Sequence, residues 1–192
     1  MYLHRIARSL ATLSFTVLIG VLPTLAAGDA DSPALNLAGE TQQQRWSEAL
    51  ALLTRGQLEE ATDLVHALTA DGWTITDDPL TLSYGGKDLF VDLGAERSTL
   101  AAERGGEKIA VEVQSFLNPS PVRDLEEAVG QYNIYQTVLA ETEPDRQLYL
   151  AVANRVYEGL LSDRFGQLIV TRLQLRILVF DEQIERIVQW IK

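Results

Sequence analysis

The segment Gln147–Ala153, QLYLAVA, carries apolar side chains at nearly every position. A strand with one face in water alternates apolar and polar residues, so a near-continuous run of this kind suits a buried strand covered on both faces. Helical patterns flank it, from Ser120 to about Glu141 and from about Leu160 to Leu173. In the first, Ser120 and Pro121 supply an N-cap and a first-turn proline, and Asp124, Glu126 and Glu127 sit near the positive end of the helix dipole. Its apolar stripe is Leu125, Val129, Tyr132 and Leu139.

Strand patterns lie on both sides of this unit. Trp73–Tyr84 is rich in aromatic and β-branched residues, and Pro79 interrupts it, which predicts an edge or bent strand. Gly85-Gly86 then turns the chain into Asp88–Leu93. Leu100–Glu103 and Lys108–Phe116 flank Arg104-Gly105-Gly106-Glu107 and read as a hairpin. Arg176–Phe180 and Arg186–Ile191 close the chain as two strands, with Phe180, Trp190 and Ile191 expected in the core. Strands and helices alternate along the chain, which specifies an α/β fold with a mixed central sheet flanked by helices.

The amino end is different in kind. Arg5 and Arg8 precede an apolar stretch from Leu10 to Leu22, followed by Pro23 and small Thr24 and Ala26. This pattern over 1–27 reads as a secretory signal peptide, with an uncleaved anchor as the alternative, because Ser9 to Ala27 is uncharged over close to the roughly 20 residues that span a bilayer. Asp29–Glu40 has a linker composition. Trp46, Ala49, Leu50 and Leu53 then recur at helical spacing before Gly56, and Ala61, Leu64, Val65 and Leu68 repeat the pattern. The two stretches look like the opening of a tetratricopeptide unit, but such units need neighbours, and two ordinary amphipathic helices are the simpler reading. The expected division is a leader over 1–27, a linker and helical extension over 28–57, and a folded domain over 58–192.

A chain of 192 residues builds one domain with a substantial core. Its formal charge of −11 speaks against indiscriminate nucleic-acid or anionic-membrane binding. With no Cys there is no disulfide, zinc–thiolate site or thiol nucleophile, and His4 and His66 are too few for histidine-centred chemistry. Carboxylates must carry any chemistry. His66 is expected on a helix surface or core rim.

Two acids interrupt apolar strands. Asp92 stands in FVDLG, where Gly94 lets the backbone bend away, and Glu112 stands in IAVEVQ. Strand alternation puts Glu112 and Gln114 on one face, with Ile109, Val111, Val113 and Ser115 on the other. Burying a carboxylate is costly without a cation or hydrogen-bond donors. Either the acids lie on a solvated sheet face or they hold something, and Mg²⁺, which favours one or two carboxylates plus water, suits the inventory. Glu96, Glu103, Asp77 and Asp78 read as solvated turns and edges.

Four segments in order, DGWTITDDPL, DLFVDLGAE, LAAERGGEKIAVEVQSF and AVGQYNIY, closely resemble the XisH family, the cyanobacterial fdxN element excision controlling factors. The resemblance runs from about Leu64 to Lys192. The family is similar in fold to the PD-(D/E)xK nucleases, the restriction-endonuclease-like superfamily. The resemblance therefore implies Asp92 and Glu112 as metal-binding acids, with the Val113 carbonyl as a backbone ligand for Mg²⁺. It also implies Gln131 and Tyr135 as a Gln-x-x-x-Tyr element; at i and i+4 they share a helix face, as a packing pair would too.

One position departs from the pattern. Where the family signature has Lys this chain has Gln114, an amide that can orient a water but can neither take its proton nor add charge. Lys108 has the right parity but lies roughly 13 Å along the strand from Glu112, too far to replace it. The readings implied are a metal-dependent endonuclease with Asp92, Glu112 and Gln114 as catalytic residues acting on DNA, and a non-catalytic regulator that binds a small XisI-type protein. Self-association as a homo-oligomer is compatible with both. Export would contradict work on chromosomal DNA, so the chain is cytoplasmic if the family role holds, and exported or anchored if the leader is used.

Overall fold

The computed structural model describes residues 33–97 and 106–192. The leader, the first residues of the linker and the strand expected over 100–103, with Glu103, lie outside the described residues. Along the chain come α1 (Pro33–Ala70), β1 (Thr74–Asp77), β2 (Leu80–Tyr84), β3 (Lys87–Val91), β4 (Leu93–Arg97) and β5 (Glu107–Val113). Then follow α2 (Pro121–Thr142), β6 (Arg146–Ala153), α3 (Arg164–Arg172), β7 (Ile177–Asp181) and β8 (Arg186–Ile191).

Six strands form one mixed sheet in the order β1-β4-β5-β6-β7-β8, and β2 and β3 form a separate hairpin. β5, β6 and β7 are parallel; the outer pairings are antiparallel. The expected α/β fold with helices flanking a mixed sheet is what the chain adopts. β6 is its centre: Leu148 through Ala153 are all buried, and since they alternate between faces, both faces are covered. α2 packs on β6 and the hairpin with Leu125, Tyr132, Tyr135 and Leu139 buried. The Tyr132 hydroxyl donates to the Leu148 carbonyl at 3.3 Å and accepts from the Arg176 amide at 3.1 Å, tying the helix to two strands. α1 lies along β1, β7 and β8 through buried Leu64, Ala67 and Leu68. Phe180 is fully buried, whereas Trp190 and Ile191 on the edge strand β8 are half-buried against the core.

Several boundaries differ from expectation. α1 is one helix that starts at Pro33 and runs through Gly56, so the linker reading of 33–40 and the break into two helices both fail. Gly56 is a close-approach position: a Cβ there would stand 3.3 Å from Leu117 Cδ1. Proline at the start of a helix is well tolerated, which is why its composition misled. Trp73–Tyr84 is two strands in different sheets, because Pro79 has no N–H for a ladder. β5 takes β4 as its antiparallel neighbour and ends at Val113, not Phe116, although the Gln114 amide still donates to the Ala151 carbonyl at 3.0 Å. The helix expected from Leu160 starts at Arg164, where Asp163 caps the Gly166 amide at 2.7 Å; a turn over Asn154–Val156 and a wider π-turn over Tyr157–Leu161 precede it. Ser120 occupies the N-cap of α2 without a side-chain bond. Among the described residues no helix is long and apolar enough to cross a membrane.

Candidate metal centre

The β2–β3 hairpin leaves and rejoins the main sheet at two neighbouring points. Asp77 pairs with Gly94 in one sheet and Leu80 with Val91 in the other, so Asp78-Pro79 and Asp92 are the crossings. At the hairpin's far end the Gly85-Gly86 turn joins β2 to β3, where φ of 57° and 75° suits glycine. Gly94 has its own reason: a Cβ there would come within 2.8 Å of Asp77 Oδ2.

Asp92 thus sits at a corner facing the end of β5, and Glu112 faces it. Asp92 is 7% exposed and Glu112 2% exposed, which excludes the solvated-face reading. Each carboxylate accepts from the other's strand: the Val113 amide donates to Asp92 Oδ2 at 2.9 Å, and the Asp92 amide approaches Glu112 Oε2 at 3.4 Å. These donors offset only part of the penalty of burying two like charges. Burial pushes the Asp92 carboxyl up to about 6, with the Val113 bond opposing and Asp78 adding to the rise. Burial, then the Asp92 charge, holds Glu112 well above the usual carboxylate range.

Tyr135 joins them. It is buried on α2, and its hydroxyl is pushed up first by burial and then by Glu112 and Asp92. Gln131, one turn earlier, is half-buried. Gln114 is half-buried just beyond β5. Lys108 is committed elsewhere, at 3.4 Å from Glu96 Oε1.

Asp78 is the residue that sequence reasoning set aside. It is half-buried, and its charge reaches Asp92. A signal was present in Asp-Asp-Pro, an acid held next to a proline at a strand break, but only the sheet crossing shows which acid it faces. Asp77, half-buried, takes the Thr76 hydroxyl at 2.7 Å, and Glu96 pairs with Lys108 and Arg146. His66 lies on the surface, 2.9 Å from Glu185.

A buried, mutually repelling pair of carboxylates with backbone amides on one side is a donor set that a hard cation would relieve. Among the described residues, no group of three or more His, Cys, Asp or Glu is arranged to hold a metal. Two carboxylates alone are a donor set for a hard cation such as Mg²⁺, which takes one or two carboxylates and completes its shell with water, and not for zinc.

The family model for the XisH protein matches residues 60–188. The chain belongs to the XisH family. Two solved structures resemble this XisH-family chain over most of their own length. One is the crystal structure of an XisH family protein from Nostoc punctiforme PCC 73102, 38% identical, covering 70% of this chain and 99% of that one with a TM-score of 0.64. The other is a fdxN element excision controlling factor protein from Anabaena variabilis, 41% identical, covering 70% and 98% with a TM-score of 0.62. No curated protein matches the chain. All four XisH-like segments contribute to the corner or to the strands around it, apart from residues outside the described ones.

Proposed function

We propose that this XisH-family chain is an excision controlling factor whose core is a PD-(D/E)xK nuclease domain, cleaving phosphodiester bonds of DNA with Mg²⁺ during element rearrangement. The observation that carries the reading is the buried Asp92–Glu112 pair, two carboxylates brought together at a strand end where burial makes their ionisation unfavourable. Asp92, Glu112 and the Val113 carbonyl would hold the ion, which when bound neutralises phosphate charge and lowers the pKa of water. Gln114 orients the attacking water by hydrogen bonding and takes no proton. Tyr135 and Gln131 bound the site from α2, positioning substrate. Asp92→Ala and Glu112→Ala should each abolish Mg²⁺-dependent cleavage of plasmid or oligonucleotide DNA while keeping the circular dichroism of the fold. Unchanged cleavage by either variant would overturn the assignment.

A second reading is favoured by Gln114 at the Lys position and by the −11 charge, which suits a protein partner better than naked DNA. In it the chain is a non-catalytic regulator that binds a XisI-type protein. Capture of such a partner without metal uptake selects this reading. For either one, mass spectrometry of the native amino terminus decides the compartment: a start near Ala27 retires a chromosomal role.

A further inference from the structure

The end of the sheet away from Asp92 and Glu112 holds a cleft of about 270 Å³ among the described residues. Its floor is aromatic. Trp190 packs edge-on to Tyr149 at 4.8 Å and tilts against Trp73 at 5.8 Å, and the Arg97 guanidinium stacks 4.6 Å above the Trp73 ring. Trp73 and Tyr149 are buried, whereas Trp190 is half-buried and lines the opening.

The cleft is separate from the acid pair by register. Trp190 pairs with Leu178, Leu178 with Ala151, and Tyr149 with Val111, so these residues share a face. Glu112 pairs with Leu150 and therefore points to the other face.

The polar rim has both signs. Arg97, Lys108 and Lys192 supply donors; Glu107 and Asp145 supply acceptors. Arg97 already meets Glu107 at 2.7 Å and Asp71 at 3.5 Å, yet its Nε is buried without a hydrogen-bond partner. Gln147 is exposed, and its Oε1 accepts from the Tyr149 hydroxyl at 3.3 Å, which leaves the amide NH₂ to donate outward. An aromatic floor with mixed donors and acceptors at the edge suits a planar heteroaromatic group that carries both, and a rim whose Arg97 and Lys108 are already paired with acids favours a neutral group over a polyanion. The volume lies just under the roughly 300–1,000 Å³ usual for drug-sized ligands, enough for one ring system and little more.

We propose that this cleft binds a single unstacked nucleobase, stacked on Trp190 and read at its edge by Gln147. The base can arrive as a free nucleoside or as an unpaired base of a DNA strand, and the chemistry of recognition is the same. Calorimetric titration in EDTA, which silences any metal chemistry, tests this with the four deoxynucleosides, deoxyribose 5-phosphate and a ten-nucleotide single strand. Saturable binding of at least one nucleoside or of the strand is expected, with none by the base-free sugar phosphate. Trp190→Leu should weaken it tenfold or more, and Trp190→Phe should retain most of it. Gln147→Ala, at an exposed position that leaves the fold intact, should weaken it several-fold and change the preference among bases. A response to nucleosides alone assigns a free ligand, and one to the strand alone assigns nucleic acid. Absence of binding at millimolar nucleoside and strand, equal binding of the sugar phosphate, or unchanged affinity in both Trp190→Leu and Gln147→Ala would overturn the proposal. Because the metal is removed, failure here leaves the Asp92–Glu112 reading untouched.

Discussion

The two ends of β5 treat charge in opposite ways. At its start, Lys108 pairs with Glu96, and neighbouring Arg146, only 5% exposed in its side chain, reaches Glu143 at 2.8 Å, Glu96 at 3.5 Å and the Ile109 carbonyl at 2.9 Å. Lys108 and Arg146 there each answer a negative group. At its finish, two acids are buried face to face with backbone amides for company and a third acid, Asp78, nearby. Pairing charges at one end and leaving acids opposed at the other is the contrast on which the proposed function rests.

The comparison can be broken at either end. Arg146→Met keeps the stem but removes the guanidinium, leaving Glu96, Glu143 and the Ile109 carbonyl short of a donor; about 2–3 kcal/mol of stability should be lost, read as a lower urea midpoint at constant slope. A loss under about 0.5 kcal/mol would make that end no more structural than the other. Glu112→Gln, in contrast, removes a carboxyl whose ionisation beside Asp92 is unfavourable, so the metal-free variant should melt at the same or a higher temperature, by a few degrees or about 1 kcal/mol. A large drop instead would mean that Glu112 is a structural hydrogen-bond acceptor.

pH sharpens the contrast. Burial pushes Asp92 up to about 6 in the folded protein against an ordinary 3.8, so between those values the native state holds a proton that the unfolded chain has released. Stability from this group is full below the unfolded value and lost as pH rises through the folded one. Metal-free wild type should therefore fall in stability relative to Asp92→Asn between about pH 4 and pH 6, measured by melting at each pH. Parallel curves would remove the pKa argument. Gln114→Lys is expected to have the smallest effect, raising Mg²⁺-dependent cleavage on the order of tenfold by adding a cation beside the acids; no gain with the fold intact would make Gln114 adequate as it stands.

Much of this contrast was legible before any coordinates. Apolar runs and their spacing marked β6, α2 and the closing strands, and an acid inside each of FVDLG and IAVEVQ marked the two carboxylates that the fold buries together, because a charge within an apolar run is a local statement about sequence. What sequence reasoning missed were long-range facts. Gly56 reads as a break until Leu117 is seen against it, and Pro79 reads as an interruption until the chain is seen to change sheets there. The partner of β5 was assigned to residues nearer in the chain than β4, since a turn signal carries no information on how far back the returning strand starts. Asp78 stayed hidden for the same reason: its neighbour is fourteen residues away and meets it only through the hairpin.

Magnesium titration by calorimetry of wild type beside Glu112→Gln puts the opposed pair to its most direct test. One ion should enter each wild-type chain near pH 7, displacing protons from the acids, and the variant should show no uptake. Failure of wild type to take up the ion, or equal uptake by the variant, would contradict the claim that these carboxylates are held together to grip a cation.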